Sequence, residues 1–272
     1  MLKNLTEYNT NMNKLNKGIR AITRIIRKPY LLNLVLDDNE TRKQYVLKKY
    51  PELHRLPQIS LPAVTGRKEE IISPFAFLDG GSLPTDLALL KGLAGKIREC
   101  RYFEIGTWRG ESAANVASVA KECITMDLPD DEKRKLGYDE EYVSQHALFS
   151  KHLANVTHLK ANSRHFDFAS LNRKFDLIFI DGDHHYESVL NDTQKVFKHL
   201  VHNNTIVVWH DYAFNPETVR YEVMAAILDG CPAELHKSLY HISNTMCAVY
   251  LPVVPAIAEK EPVVFEVKMT AL

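Results

Sequence analysis

Cysteine is scarce in this chain of 272 residues: Cys100, Cys123, Cys231 and Cys247 make four thiols, none in a C-x-x-C pair. They read as reduced, core-packing groups of a cytoplasmic protein rather than as a disulfide framework. An excess of one charge is also missing, since Lys plus Arg and Asp plus Glu both number 34. There is therefore no global pull toward nucleic acid or an anionic membrane, and no nucleic-acid partner is expected; local patches stay open. No apolar run approaches the ~18 residues of a membrane span. The opening "MLKNLTEYNTNMNKLNKG" has no hydrophobic signal core, so a cytoplasmic location is expected. Internal repeats and low-complexity tracts are absent too. With 45% hydrophobic and 25% charged residues, the composition is that of a globular chain able to bury a sizeable core.

Residues 1–75 read as a helical extension. "NKLNKGIRAITRIIRKPYLLNLVL" places Leu15, Ile19, Ile22 and Ile26 on one helical stripe, with Lys14, Lys17, Arg20, Arg24, Arg27 and Lys28 as a basic remainder. Pro29 interrupts this helix, and "ETRKQYVLKKY" suggests another before Pro51. "LPQISLPAVTG" reads as an irregular connector. Two fates suit the basic helix: its stripe docks onto the main domain, or residues 14–28 lie peripherally on a membrane surface.

From residue 83 a regular rhythm sets in. Strands are expected at "CRYFEIG", "CITMDL", "NVTHLKA", "FDLIFID" and "NTIVVWHD". Helices alternate with them at "PTDLALLKGLAGKI", "GESAANVASVAK", "YVSQHALFSKHL" and "ESVLNDTQKVFKHL", the last burying Val189, Val196, Phe197 and Leu200. Short apolar strands alternating with helices predict a Rossmann-like, doubly wound α/β sheet covered on both faces. Right-handed crossovers put every strand's carboxyl end on one edge, where ligands bind. After a helix at "ETVRYEVMAAILDG", the runs "AELHKSLYHI" and "TMCAVYL" suggest an antiparallel pair. The domain is placed at 76–252, with a tail at 253–272 that is either one more edge strand or loosely held.

The first strand and turn, "FEIGTWRGESAANVA", carry Glu104, Gly106 and Gly110, with Thr107, Trp108 and Arg109 between the glycines. Glycines here allow a tight turn and close approach to a ligand, and the helix start offers unpaired N–H groups. The spacing is GxxxG instead of the GxGxxG of a dehydrogenase, which sets that activity aside. Asp127 ends the second strand, placed to accept hydrogen bonds from ribose hydroxyls.

Taken in order, "FEIGTWRGES", "ITMDL", "KANSRHFD", "FDLIFIDGDHHYESVLNDTQ" and "IVVWHDY" resemble the class I S-adenosylmethionine-dependent methyltransferases. More narrowly, the chain resembles the group whose fourth strand ends in "IDGDHxYE" and fifth in "HDY". The resemblance covers roughly residues 82–251. It implies a mostly parallel seven-stranded sheet whose last strand is reversed, with S-adenosylmethionine as cofactor. It further implies that Glu104, Gly106, Thr107, Gly110 and Ser112 line the methionine end of the cofactor. Asp127 would hold the ribose, Leu128 the adenine, Asn162 and Ser163 the adenine amino edge. Asp181 and Asp183 would face the methionine moiety and the substrate.

Methyl transfer is an in-line displacement governed by alignment, and a hydroxyl acceptor must also lose its proton. His184, His210 and Asp211 are the candidates for that step, because the fold brings the ends of the fourth and fifth strands together. Asp181, His210 and Asp211 also make a candidate metal cluster. Related O-methyltransferases hold magnesium with acidic residues at corresponding strand ends; here a histidine stands at 210, and magnesium prefers oxygen. The expected acceptor is a small molecule or a glycan hydroxyl, and a homo-oligomer is compatible with the chain. Two other functions compete: a metal-dependent hydrolase built on "DGDHH" and "HD", and a non-catalytic cofactor binder with a membrane- or partner-binding helix. Of the remaining polar residues, His185 and Glu187 read as solvated first-turn positions. Asp192 reads as a surface residue and Trp209 as core, and His146, His152 and His158 show no ligand spacing. Residues 129–142 read as a lid, with Tyr138 or Tyr142 as contacts, or as a plain loop.

Overall fold

A computed structural model of the protein describes residues 2–27, 38–78, 81–253 and 264–271. It separates into two compact units, Met1–Arg42 and Lys43–Leu272. The first contains α1 (Leu2–Arg27), and α2 follows at Asp38–Lys49. Lys28 and Pro29 lie outside the described residues. In the second unit come β1 (Gln58–Ile59), α3 (Leu61–Thr65), α4 (Pro84–Lys96), β2 (Arg101–Ile105), α5 (Glu111–Ala117) and β3 (Glu122–Asp127). Then follow α6 (Asp130–Lys135), α7 (Glu140–Ser144), β4 (Val156–Lys160), β5 (Leu177–Ile180), α8 (Tyr186–His199) and β6 (Ile206–Trp209). The chain continues through β7 (Ala213–Asn215), β8 (Thr218–Val219), α9 (Tyr221–Gly230), β9 (Leu239–Ile242) and β10 (Ala248–Tyr250). Among the described residues, no helix is long and apolar enough to cross a membrane.

Eight strands form one sheet in the order β1-β9-β10-β6-β5-β2-β3-β4. From β6 through β5, β2 and β3 to β4 every pairing is parallel, while β10 runs antiparallel to both β6 and β9. The expected α/β class, doubly wound and with a reversed strand near the end, is what forms. The chain steps outward from β2 to β3 and β4, then returns to place β5 on the other side of β2. That reversal opens a crevice at the carboxyl ends of β2 and β5, where doubly wound sheets bind ligands.

Period-two alternation sorts the strand side chains into two cores. Phe103, Ile105, Ile178, Ile180, Val207 and Trp209 face one side, packed with Val196 of α8 and Val223 and Ile227 of α9. Tyr102, Leu177, Phe179 and Val208 face the other, against Leu89, Leu90 and Leu93 of α4 and Val116 of α5. All four cysteines are buried free thiols, and burial pushes Cys100 and Cys231 up to about 12, far from the thiolate form. Trp209 is core, as its apolar strand suggests, with its indole N–H donating to Thr193 Oγ1 at 2.9 Å.

Departures from the sequence reading have local causes. "LPQISLPAVTG" supplies an eighth strand, β1, paired with β9 through His241 N–H to Pro57 O and Ser243 N–H to Ile59 O. Two paired residues between prolines are too few to show alternation. Residues 43–75, grouped above with the N-terminal extension, belong to the unit that holds the sheet. The helix expected through "YVSQHALFSKHL" stops at Ser144. Ala147 and Phe149 instead donate their N–H groups to Trp108 O and Arg109 O, which a continuous helix would forbid. Residues 213–219, partly assigned to a helix, form the β7–β8 ribbon, and in "AELHKSLYHI" a 3-10 turn precedes β9. Asp192 is not a surface residue. It is buried under the β5 turn, accepts from Asn191 at 2.8 Å, and burial pushes its pKa up to about 6. Residues 264–271 carry neither helix nor strand.

One carboxylate ties three helices together. Asp229 of α9 accepts from Tyr45 (2.6 Å) and Lys49 (2.8 Å) of α2, from Tyr50, and from Tyr186 of α8 (2.6 Å). Burial alone would raise its pKa, but these donors outweigh it and hold the carboxyl at about 2. A depressed carboxylate stabilises the fold fully above its unfolded value near 4 and ceases to do so as pH falls through about 2. We expect Asp229→Asn to cost about 2 kcal/mol at neutral pH. In urea unfolding, its stability should also fall less steeply than the parent's across the acid range between those two values.

Candidate active site

Close packing of β2 against β5 builds the centre of the site. Gly106, just past β2, has φ +100°, and a Cβ there would lie 1.9 Å from the Asp181 carbonyl oxygen. Only glycine allows this approach. Asp181 N–H then bonds Ile105 O at 2.7 Å and His210 N–H bonds Ile180 O at 3.0 Å, aligning the ends of β2, β5 and β6. Gly110 opens α5 at φ +77°, where a Cβ would meet Ser150 Oγ at 2.2 Å.

On β2, Glu104 shares a face with Tyr102 and is fully buried. Tyr102 donates to its Oε2 at 2.5 Å, and Ser112 favours the ionised carboxylate. Its Oε1 has no partner. Burial, reinforced by the charges of Asp181 and Asp127 and only partly offset by Tyr102 and Ser112, pushes its pKa up to about 8. A buried acceptor without a donor suits a cationic ligand group.

At the end of β3, Asp127 is already engaged. Its carboxylate accepts from Leu128 N–H (2.8 Å), from Lys133 Nζ (2.6 Å) and at His146 Nδ1 (3.1 Å). Burial opposes its ionisation, yet His146 and Lys133 outweigh that and lower its pKa. Lys133, on α6, is 2% exposed, a rare state for a lysine that the ion pair explains. Beyond it Tyr138 stacks on Tyr142 at 4.5 Å, Tyr142 lies 4.9 Å from Trp108, and the Trp108 indole N–H is buried without a partner. The segment 129–142, expected to be either a lid or a plain loop, holds α6 and reaches Asp127 through Lys133.

The other half of the site surrounds His210, at the end of β6. Its Nε2 lies 3.2 Å from Asp86 Oδ2, and its Nδ1 lies 3.1 Å from Asp181 Oδ1 and 3.4 Å from Asp211 Oδ2. Burial would lower the pKa of this ring, but Asp181, Asp211 and Asp86 together raise it well above the ordinary histidine value. Asp86 is itself fully buried, accepting from Leu83 N–H and Met246 N–H. Burial likewise opposes ionisation of Asp211, and His210 overcomes it to hold that carboxyl at about 2. Half-exposed His184 has its Nδ1 4.0 Å from Asp211 Oδ2. Partial burial, then the Arg220 guanidinium, lowers its pKa, so this imidazole is neutral. Arg220 approaches Asp211 at 3.5 Å, lies against Phe214, and keeps Nε and Nη1 without hydrogen-bond partners. A cavity of about 10 Å³ opens among Asp181, His184, His210 and Asp211, room for one water-sized group. A larger groove of about 400 Å³, lined by Ser73, Pro74, Leu148 and Phe149 among others, shares no residue with the site.

Of the residues named from sequence, Asp181, His184, His210 and Asp211 meet within one cluster, and Glu104 sits between Asp127 and Asp181. Others have their side chains occupied elsewhere. Thr107 bonds Thr125 (2.5 Å), and Asn162 donates to Glu132 (2.8 Å) while accepting from Arg164 N–H (3.0 Å). Asp183 accepts from Ser188 and bonds His185, holding the start of α8. His185 and Glu187 are exposed, as expected. Sequence reasoning passed over Asp86, Lys133, His146 and Arg220. Asp86 lies in the first turn of α4, and its contact with His210 spans 124 positions; no local pattern signals it.

Residues 103–212 match the family model of a methyltransferase domain. Over 150 residues the chain is 30% identical to an uncharacterised protein of Acanthamoeba polyphaga mimivirus, covering 48% of this chain and 62% of that protein. The chain thus spans less than two thirds of the curated relative it matches. Among solved structures it is similar to the Podospora anserina methyltransferase PaMTH1 bound to S-adenosylhomocysteine. That similarity has 15% identity and a TM-score of 0.46, covering 79% of this chain and 88% of that one. It is also similar to CalS11, a TDP-rhamnose 3'-O-methyltransferase of calicheamicin biosynthesis. There the identity is 16% and the TM-score 0.40, covering 61% of this chain and 79% of that one.

The Gly106 contact can be isolated from backbone strain. Gly137 has a comparable φ of +93° but nothing within 4 Å of an added Cβ. Gly137→Ala should cost roughly 1–2 kcal/mol of strain alone, and Gly106→Ala at least twice that in chemical denaturation.

Proposed function

We propose, on the premise that residues 103–212 are a class I methyltransferase domain, that the protein methylates a hydroxyl of a small molecule or glycan, using S-adenosylmethionine. The observation that carries this reading is one neutral imidazole, His184, beside a half-buried pair of carboxylates, Asp181 and Asp211, at the ends of β5 and β6. S-adenosylmethionine, when bound, supplies an electrophilic methyl group whose C–S electron pair returns to sulfur as the new O–C bond forms.

The residues present fit such a cofactor. Glu104 offers its unpartnered Oε1 to the methionine ammonium, with Ser112 steadying the carboxylate. Gly106 and Gly110 keep side chains away from the turn, and Asp181 closes it from β5. Asp127 holds the ribose hydroxyls, sharing its oxygens with Lys133 and His146, while Leu128 and Ser163 flank the adenine. Thr107 and Asn162, their polar groups occupied, contribute only backbone. Asp183 acts through the start of α8.

His184 is the better base of the two histidines. A base needs a free lone pair, and the His210 ring lies between carboxylates on both nitrogens with a raised pKa. In this assignment His184 takes the acceptor's proton and Asp211 steadies the imidazolium that results. His210 holds Asp181 and Asp211 in place.

A second reading rests on ligand geometry. One atom each from Asp181, His210 and Asp211 lie within 4.8 Å of one another, and Asp86 behind His210 makes the carboxylate–histidine pairing common behind metal ligands. These three would hold a divalent ion, which would supply Lewis acidity to the acceptor oxygen. Mixed oxygen and imidazole donors suit manganese or iron better than magnesium.

Cofactor affinity should report on Glu104 directly. Free protein below about pH 8 keeps that carboxyl protonated, and pairing with an ammonium favours the carboxylate. Binding therefore releases a proton, and affinity should rise with pH until about 8. Calorimetry of S-adenosylhomocysteine in buffers of different ionisation enthalpy should show this release. Glu104→Gln should bind more weakly and release none.

For the acceptor step, His184→Ala should leave cofactor affinity unchanged and slow transfer roughly a hundred- to ten-thousand-fold. Unaltered turnover in single-turnover assays would remove His184 from the chemistry. Loss of turnover on chelation, with recovery on adding manganese, would favour the metal reading.

A further inference from the structure

The helix α1 is not used by anything described so far. Its apolar side chains lie open, with Leu15 65%, Ile19 55%, Ile22 60% and Ile26 74% exposed. At 3.6 residues per turn these four fall within an arc of about 60°. Ile25 widens the apolar face on one flank, while Asn16, Gly18 and Thr23 border it with small neutral groups. Lys14, Lys17, Arg20, Arg24 and Arg27 occupy the opposite side, across about 140° of arc. No aspartate or glutamate occurs between Glu7 and Asp37. A neutral chain has therefore gathered one sign of charge onto residues 14–27 of this helix.

We propose that α1 is a membrane-surface helix that lies in the interface of an anionic bilayer. Its four-residue stripe is the part that enters the headgroup boundary, and its cations meet the negative surface potential. The helix is too polar to cross the membrane, so it lies on the surface.

Charge complementarity selects this occupant over a second copy of the chain. Two α1 helices paired through the stripe would each turn their five cations of residues 14–27 toward solvent, and the positions flanking the stripe hold none of the opposite charges that ordinarily fix such a pair. An anionic bilayer supplies the missing sign.

Flotation of the full chain with vesicles tests this. The protein should bind phosphatidylcholine vesicles containing phosphatidylserine, leave pure phosphatidylcholine vesicles unbound, and dissociate at high salt. Ile22→Asp with Ile26→Asp should lower the bound fraction about tenfold or more. Arg20→Glu with Arg24→Glu should lower it at least tenfold, since each cation near the surface contributes about fivefold. An unchanged thermal midpoint in both variants would show that the sheet unit is intact. Equal binding to both vesicle types would overturn the proposal. So would no binding to either, or a dimer in sedimentation that Ile22→Asp disrupts and Arg20→Glu does not.

Discussion

A buried imidazole ring held between carboxylates on both sides organises the working edge of this sheet. His210 joins Asp86 at the start of α4 to Asp181 and Asp211 at the ends of β5 and β6. Burial opposes the charged forms of His210 and Asp211, yet the carboxylates around the ring raise the imidazole's pKa and the imidazolium in turn lowers that of Asp211, while burial still raises Asp181. Three acidic side chains thus surround one imidazole. Such a site favours cationic visitors, whether a sulfonium, an ammonium or a metal ion.

Across β5, Glu104 responds to the same field with the opposite outcome. Lacking a cation, it takes up a proton and leaves one oxygen unbonded. Asp127, one strand further, has Lys133 and His146 beside it and stays ionised. Two acids on neighbouring strands thus differ in protonation, according to whether a positive group reaches them. Lys133 ties this to the 129–142 segment, so the placement of that segment and the charge state of Asp127 are coupled.

Much of the fold was legible because the central strands are doubly covered. "LIFI" and "IVVW" are apolar on both faces, a pattern that survives any particular arrangement of neighbours. Glycines at 106 and 110 between strand and helix marked the turn. Elements defined by pairing rather than by composition escaped notice: the two-residue β1, the β7–β8 ribbon, and the turns after Ser144 whose N–H groups serve residues 108 and 109. Asp192 was misjudged for a related reason. Its helix position gives no warning that the Gly182 turn lies above it.

What the amino-acid order determined by itself is the alternation of helix and strand, and with it the shared edge on which Asp127, Asp181 and His210 emerge. Polarity period and glycine placement are local properties, and they act before distant segments meet. Only tertiary structure decided which of those side chains are free. It turned Thr107 and Asn162 toward structural partners, gave Asp127 a lysine, and left His184 neutral while charging His210. Protonation and availability depend on neighbours many positions away, and a carboxylate such as Asp86 acts on His210 only once folding brings them within 3.2 Å.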